Sequence, residues 1–348
     1  MQKETEWGMS RRSLLLGAAI AGAAQALGSA PIRAESTRRL EPPLVPAGPL
    51  KVSIFSKHLQ FLPIAEAAVV AKDMGFDAID MTVRAEGHVL PENVTTDLPR
   101  AVAAVRRAGL TVSMVSTEIT PSTMPIAEKV LEAAAGEGIH HYRWGGLKYN
   151  TTQPIVTQLD ALRPGVRALA DLSQRTGVAG MYHTHSGPEA IGATIWDVWE
   201  LFRELDPRWM GFNYDIGHAT VEGGYGGWIC TSKLSANWMR GIAIKDFLWA
   251  RNENGTTHND PYDKSLGKVG EYVPHWCPID EGMVRFDQFL SMVKEQNFNG
   301  PLQLHFEYPL GGAENGKTTL TLPREQVIAS MKKDLEALHV HLRKQVLA

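Results

Sequence analysis

From Leu50 onward, short runs of β-branched and apolar residues alternate with helix-length amphipathic stretches. That alternation predicts a parallel sheet whose strands are joined by crossover helices. Strands are expected over residues 50–56, 76–83, 110–117, 139–145, 178–184, 210–216, 241–247 and 302–308, and helices over 62–74, 98–108, 154–176, 197–205 and 323–346. Several crossovers end on a glycine that leads straight into the next strand, as in Met74-Gly75-Phe76, Ala108-Gly109-Leu110 and Thr176-Gly177-Val178. A helix that stops on a left-handed residue favours glycine there, because no Cβ collides with the backbone. The expected fold class is therefore α/β, a single-domain (β/α)8 TIM barrel. A doubly wound open sheet is the alternative, but it usually carries a Gly-rich phosphate turn after its first strand. The segment Ser53-Ile54-Phe55-Ser56-Lys57-His58 has none.

The first residues do not fit this pattern. Ser10-Arg11-Arg12-Ser13-Leu14-Leu15 precedes an uncharged stretch of Ala, Gly and Leu, and Gly28-Ser29-Ala30 offers the small residues a signal peptidase needs. We read residues 1–34 as a twin-arginine signal peptide, 35–49 as a Pro-rich linker and 50–348 as the barrel. The apolar stretch is short and rich in Gly and Ala, which opposes a spanning helix, so the expected location is the periplasm with no stable membrane insertion after cleavage. A formal net charge of -3 and the lack of a dense Lys/Arg tract oppose a nucleic-acid partner. Cys230 and Cys277 are the only cysteines. They either pair or remain as separate thiols, and two make no disulfide framework. The subunit count is not legible.

Candidate chemistry sits at strand ends. In Tyr182-His183-Thr184-His185 the two imidazoles alternate along a strand and so face the same side. Asp215 closes the apolar run Trp209-Met210-Gly211-Phe212-Asn213-Tyr214, with His218 three residues on, and Glu307 closes Leu302-Gln303-Leu304-His305-Phe306. Buried carboxylates are costly unless paired or metal-bound, and parallel barrels place their chemistry at the C-terminal strand ends. The resulting pocket suits a divalent cation. Lys245, at the end of the seventh strand, is expected to reach this pocket, whereas Asp246 faces the outer layer and is structural. His305 shares a side with Glu307 and is either a ligand or a lower-layer barrel residue.

Glu118, Arg143 and Lys57-His58 are candidate substrate contacts, with a solvated loop charge as the alternative. Residues 248–286 make a long connection carrying Trp249, His258, Tyr262, Lys268, Tyr272, His275 and Trp276. This mixture of aromatic faces and polar tips suits a sugar, with a structural excursion as the alternative. Trp144 and Trp249 either stack on a sugar face or pack the barrel.

The His183-Thr184-His185 strand end, Asp215-Ile216-Gly217-His218, Ile244-Lys245-Asp246-Phe247, the stretch from Cys277 to Phe286, and Gly300-Pro301 before the strand of Glu307 together resemble the xylose isomerase-like barrel superfamily, in its sugar phosphate isomerase/epimerase branch. The resemblance covers nearly the whole chain after the leader. It implies one divalent metal, often manganese, held by a Glu, an Asp, a His and a Glu, and action on keto or aldo sugars or cyclitols. On this chain the first Glu position falls on His183, the Asp on Asp215, the last Glu on Glu307, and the His on Ala243. Dehydratases of keto-inositol in the superfamily have a similar Tyr-His-x-His strand end. His185, His305, His275 or a water is left to complete the shell, or the site holds no metal.

The expected ligands are thus His183, His185, Asp215 and Glu307, around manganese first, with zinc, cobalt or iron also compatible. An imidazole in place of a carboxylate leaves the ion a stronger Lewis acid. The implied catalytic residues are Lys245, Glu307 and His183, and the substrate-binding residues His218, His185, Trp249 and His275. The expected activity is a metal-dependent isomerase or epimerase that removes a proton α to a carbonyl of a keto-sugar or keto-glycoside, a small-molecule carbohydrate, through a metal-stabilised enediolate. The alternatives are a lyase that eliminates the aglycone of a 3-keto-glycoside and a non-catalytic carbohydrate-binding barrel that has lost its metal. A DNA-repair endonuclease on this fold is opposed by the leader and the mildly acidic chain.

Overall fold

A computed structural model describes residues 48–251 and 272–348. The expected leader, nearly all of the linker, and His258, Tyr262 and Lys268 lie outside the described residues. Eight parallel strands close into a barrel: β1 (Val52–Phe55), β2 (Ala78–Val83), β3 (Thr111–Thr117), β4 (His141–Trp144), β5 (Ala179–His183), β6 (Met210–Asp215), β7 (Met239–Ile244) and β10 (Leu302–Leu304), the last pairing with both β7 and β1. This is the (β/α)8 barrel that the alternating pattern predicts. β2 and β6 are buried at every position, as parallel strands are when helices cover one face and the barrel interior fills the other.

Helices α1 (Ile64–Met74), α2 (Val94–Arg107), α3 (Met124–Gly136), α4 (Ile155–Thr176), α5 (Trp196–Phe202), α6 (Ile216–Gly223), α7 (Gly227–Ser235), α8 (Phe286–Glu295) and α9 (Arg324–Lys344) pack outside the sheet. The glycines after α1 and α4 take the left-handed conformation expected of them, Gly75 at φ 104° and Gly177 at φ 73°. The two ends of the barrel segment meet, where Leu50 N donates to Leu347 O at 2.6 Å.

The barrel interior is unusually polar. Such interiors are normally filled by Val, Ile and Leu, but here Ser53, Asp80, Ser116, Asn213 and Gln303 are all buried. They are partly satisfied: Ser53 Oγ donates to Leu302 O at 3.0 Å, Ser116 Oγ to Asp80 Oδ2 at 2.8 Å and Asn213 Nδ2 to Gln303 Oε1 at 3.0 Å, and the Gln303 amide meets the Met114 sulfur, while Asp80 Oδ1 and Asn213 Oδ1 have no partner. Burial pushes the Asp80 carboxyl up to about 7 against the Ser116 hydrogen bond and the fields of Arg143 and Arg84.

Two expectations are corrected. The seventh strand starts earlier than 241 and stops at Ile244; from Asp246 the chain enters β8 (Asp246–Arg251), which pairs antiparallel with β9 (Tyr272–Cys277). The described ends of the long connection therefore form a hairpin, and the Asp246 carboxylate anchors it. Oδ1 accepts from Phe247 N at 2.8 Å and Val284 N at 3.1 Å, and Oδ2 accepts from Gly282 N at 3.0 Å. Glycine is required at 282, because a Cβ there would lie 2.2 Å from Asp246 Oδ1. The sixth strand, expected to run to residue 216, yields to α6 at Asp215, whose Oδ1 caps the helix by accepting from His218 N at 3.0 Å. Cys230 is exposed and Cys277 buried, and both are free. No helix of the described residues is long and apolar enough to cross a membrane.

Candidate active site

The C-terminal strand ends bring His183, Asp215, Lys245, His305 and Glu307 together, all of them buried or nearly so. Lys245 is the centre of this cluster. Its Nζ lies 2.7 Å from Glu307 Oε2, 2.7 Å from His218 Nε2 and 3.3 Å from Asp215 Oδ2, and it stands 4.1 Å from the centroid of the Trp276 ring. An ammonium only donates, so His218 Nε2 accepts, and its Nδ1–H then faces the Ser186 hydroxyl at 2.7 Å. The cation thus sets the tautomer of its neighbour. On the other strand of this corner, the Thr184 hydroxyl accepts from Asp215 N at 3.0 Å and ties β5 to β6.

The electrostatics separate the two carboxylates. Burial pushes Asp215 up to about 6, opposed by Lys245 and assisted by repulsion from Glu307. Burial would also raise Glu307, but the fields of Lys245 and Lys57 override it and hold its carboxyl well below the usual range. Every imidazole of the cluster is pushed toward the neutral form: His183 by burial and Arg143, His218 by burial and Lys245, and His185 to about 3 by burial and Arg143. For His305, burial outweighs the attraction of Glu307. Neutral imidazoles keep a lone pair for a ligand, which is the form a metal requires.

Three buried ring nitrogens here make no hydrogen bond, His183 Nδ1 and both of His305, and Asp215 Oδ2 has only its ion pairs with Lys245 at 3.3 Å and His183 at 3.6 Å. Unsatisfied buried polar atoms are rare and costly. His183, Asp215 and His305 offer ligand atoms that all lie within 4.8 Å of one another, and so, as a second group, do His183, His185 and His218. The first group supplies one carboxylate and two neutral imidazoles with orphaned donors, so the residues present fit a divalent cation. Glu307 stands outside both groups, occupied by Lys245, with its Oε1 4.0 Å from both Lys57 Nζ and His305 Nδ1. The four ligands expected from sequence therefore do not form one set, and His305 takes a place among them. Ala243, in register with Asp215, contributes only a methyl group.

The substrate-binding expectations divide. His218 and His185 line the cluster, their rings 5.1 Å apart. His275 is exposed on β9, and Trp249 lies outside the cluster, 42% exposed, in a surface pocket with Trp228, Phe247 and Met283. Strand alternation is the reason: when His275 faces out, Trp276 faces in, onto Lys245 and, edge to face at 4.9 Å, onto His218. From sequence, Trp276 is only one of the sugar-suited aromatics of the long connection, and the parity of β9 is what separates it from His275. Trp144 is wholly buried against Tyr182 and packs the barrel.

An eight-stranded α/β barrel with imidazoles, carboxylates and lysines at its mouth defines a recognisable class. The chain belongs to the xylose isomerase-like TIM barrel family, whose model matches residues 68–330. It is similar to D-psicose 3-epimerase from Clostridium cellulolyticum solved with D-tagatose, at 10% identity and TM-score 0.62 over 84% of this chain and 99% of that one. It is similar also to apo 3-keto-D-glucoside 4-epimerase from E. coli, at 12% identity and TM-score 0.58 over 82% and 99%. A xylose isomerase-like TIM barrel protein from Mycobacterium smegmatis in complex with magnesium matches at 16% identity and TM-score 0.55 over 82% and 97%. At these identities the likeness is one of fold. Comparison with curated proteins gives no match.

Proposed function

We propose that this protein is an exported enzyme that abstracts a proton α to the carbonyl of a keto-sugar or keto-glycoside. The observation that carries this reading is the Lys245 ammonium, gripped by a carboxylate and a neutral imidazole beside Asp215 and the unpartnered imidazole nitrogens of His183 and His305. Family membership and structural neighbours that include two sugar epimerases support it.

A divalent cation held by His183, Asp215 and His305, manganese first, would supply Lewis-acid polarisation of the substrate carbonyl; one neighbour was solved with magnesium. The protein's own groups do the rest. A substrate oxygen that takes a hydrogen bond from Lys245 Nζ draws the ammonium away from Glu307, and the proton affinity of the Glu307 carboxylate rises. Glu307 Oε2 then accepts the carbon-bound proton, while Lys245 stabilises the enediolate oxygen. Trp276 and the buried imidazoles keep bulk water from this corner. Return of a proton to the opposite face gives the epimer, and expulsion of a β-leaving group gives elimination. Phosphorylated sugars are scarce outside the cytoplasm, so the twin-arginine leader favours a substrate that is not a cytoplasmic sugar phosphate.

The test is solvent-deuterium incorporation into a panel of ketoses and 3-keto-glycosides, with and without chelator. Exchange should fall by about two orders of magnitude in Lys245→Met with the fold intact by circular dichroism. No exchange across the panel removes the reading. Ala243 favours a second one, a carbohydrate-binding barrel without metal, and stoichiometric metal in the purified protein excludes it.

A further inference from the structure

Strand β10 is three residues long, and both His305 and Glu307 lie beyond its last residue. Successive N–H groups along a strand point to opposite neighbours. His305 N donates to Ile244 O of β7 at 2.9 Å, so the next N–H, that of Phe306, faces β1. There the ladder has already stopped. Its last pair is Ile54 with Leu304, and from Ser56 the chain winds into a short 3-10 helix (Ser56–Leu59).

A side chain supplies the missing rung. Phe306 N donates to His58 Nε2 at 3.1 Å. An imidazole nitrogen that accepts carries no proton, so the proton is on Nδ1, which donates to Ala313 O at 3.3 Å. The ring is wholly buried and stands edge-on to Phe306 at 5.3 Å and to Phe55 at 5.6 Å. With both nitrogens engaged, His58 offers a substrate no hydrogen bond, and the expectation that it contacts one is set aside.

Phe306 sits between the two residues that the chemistry uses. His305 and Glu307 emerge on one side of it, with Nδ1 and Oε1 4.0 Å apart, the His305 ring 5.4 Å from that of His183 and Glu307 Oε2 2.7 Å from Lys245 Nζ. Rotation of the backbone at 306 would therefore swing both side chains together. We propose that His58 is a positioning residue, which by holding the Phe306 amide aims His305 into the group it forms with His183 and Asp215 and aims Glu307 at Lys245. The part concerning Glu307 rests on the proton-abstraction reading, whereas the placement of His305 is measurable without any substrate.

Two variants isolate the rung. His58→Asn can still donate to Ala313 O but does not reach Phe306, and His58→Gln carries an acceptor out to Phe306 N. Cobalt(II), titrated by visible absorption, is the probe for His305: His58→Asn should bind it about tenfold more weakly than the wild type, with an altered spectrum, and His58→Gln should recover most of the loss. For Glu307, kcat of deuterium exchange into a keto-sugar that the wild type accepts, in saturating cobalt(II), should fall about tenfold in His58→Asn with KM little changed, and recover in His58→Gln. Tyr142→Phe, which removes the buried hydrogen bond to Ser173 between β4 and α4, controls for lost stability and should move neither readout. If His58→Asn does not fold, His58→Phe, which keeps a ring and loses both bonds, takes its place.

Unchanged cobalt affinity overturns the placement of His305, and unchanged kcat that of Glu307. A loss that Tyr142→Phe shares, a loss that His58→Gln does not recover, or failure of both His58→Asn and His58→Phe to fold overturns the whole inference, because His58 would then support the fold and not the site. Weaker cobalt binding in His58→Asn with no exchange in the wild type removes only the proton-abstraction reading. Exchange in the wild type that His58→Asn leaves intact, with cobalt affinity intact, removes only this inference, and a wild type that neither binds cobalt nor exchanges removes both.

Discussion

Asp80 shows how a single residue in the barrel interior ties stability to acidity. It is fully buried, its Oδ1 has no hydrogen-bond partner, and burial pushes its carboxyl from 3.8 up to about 7. A raised carboxyl holds its proton more tightly folded than unfolded. Its favourable contribution is therefore complete below about pH 4 and is lost as pH rises to about 7, by on the order of 4 kcal/mol before relaxation. Asp80→Asn keeps an acceptor for Ser116 and removes the titration. The variant should melt above the parent at pH 8 and close to it at pH 5, as measured by thermal unfolding; an equal shift at both values contradicts the assignment.

Legibility at this scale followed strand parity. Asp215, Lys245 and Glu307 each end an apolar run, and their inward side follows from that. His58 is not legible as a support for that corner, because its partners Phe306 and Ala313 come from the far end of the chain. The side that His305 takes is not fixed by its own segment, because its ring meets His183, at 5.4 Å, only through the closure of β10 beside β7.

Among elements, the β8–β9 hairpin is the least local. Its pairing joins Arg251 to Tyr272 across a long connection, and no short-range pattern specifies that register. The eight barrel strands were readable because apolar runs and Gly-capped helices recur along the chain, whereas helix α6 was hidden by its apolar start at Ile216. Asp246 holds the hairpin base through three backbone N–H groups. Asp246→Ala strands those donors and should cost about 2–4 kcal/mol, and hydrogen exchange at Phe247, Gly282 and Val284 should accelerate selectively. Because Trp276 rides on this hairpin against Lys245, substrate turnover should fall in the same variant. Unchanged exchange at those three amides would show that Asp246 is not the anchor.

For the whole molecule, the proposed export is tested by the leader. Replacing Arg11 and Arg12 together by Lys should leave unprocessed precursor in the cytoplasm, detected by fractionation and mass of the intact chain. Processed protein in the periplasm of that variant excludes the twin-arginine route. The closed ring was legible from eight expected strands alternating with helix-length stretches, but its polar filling was not, because Ser53, Asp80, Asn213 and Gln303 lie in different segments and meet only once the sheet has curled.

The hydrogen bond from Leu50 to Leu347 has one more consequence. Where the first strand begins, the last helix ends, so a short splice can join them and the cut can be moved to the exposed turn around Tyr225. Such a permuted gene would encode the same circle of staves, and the mouth would keep its residues whichever stave is made first.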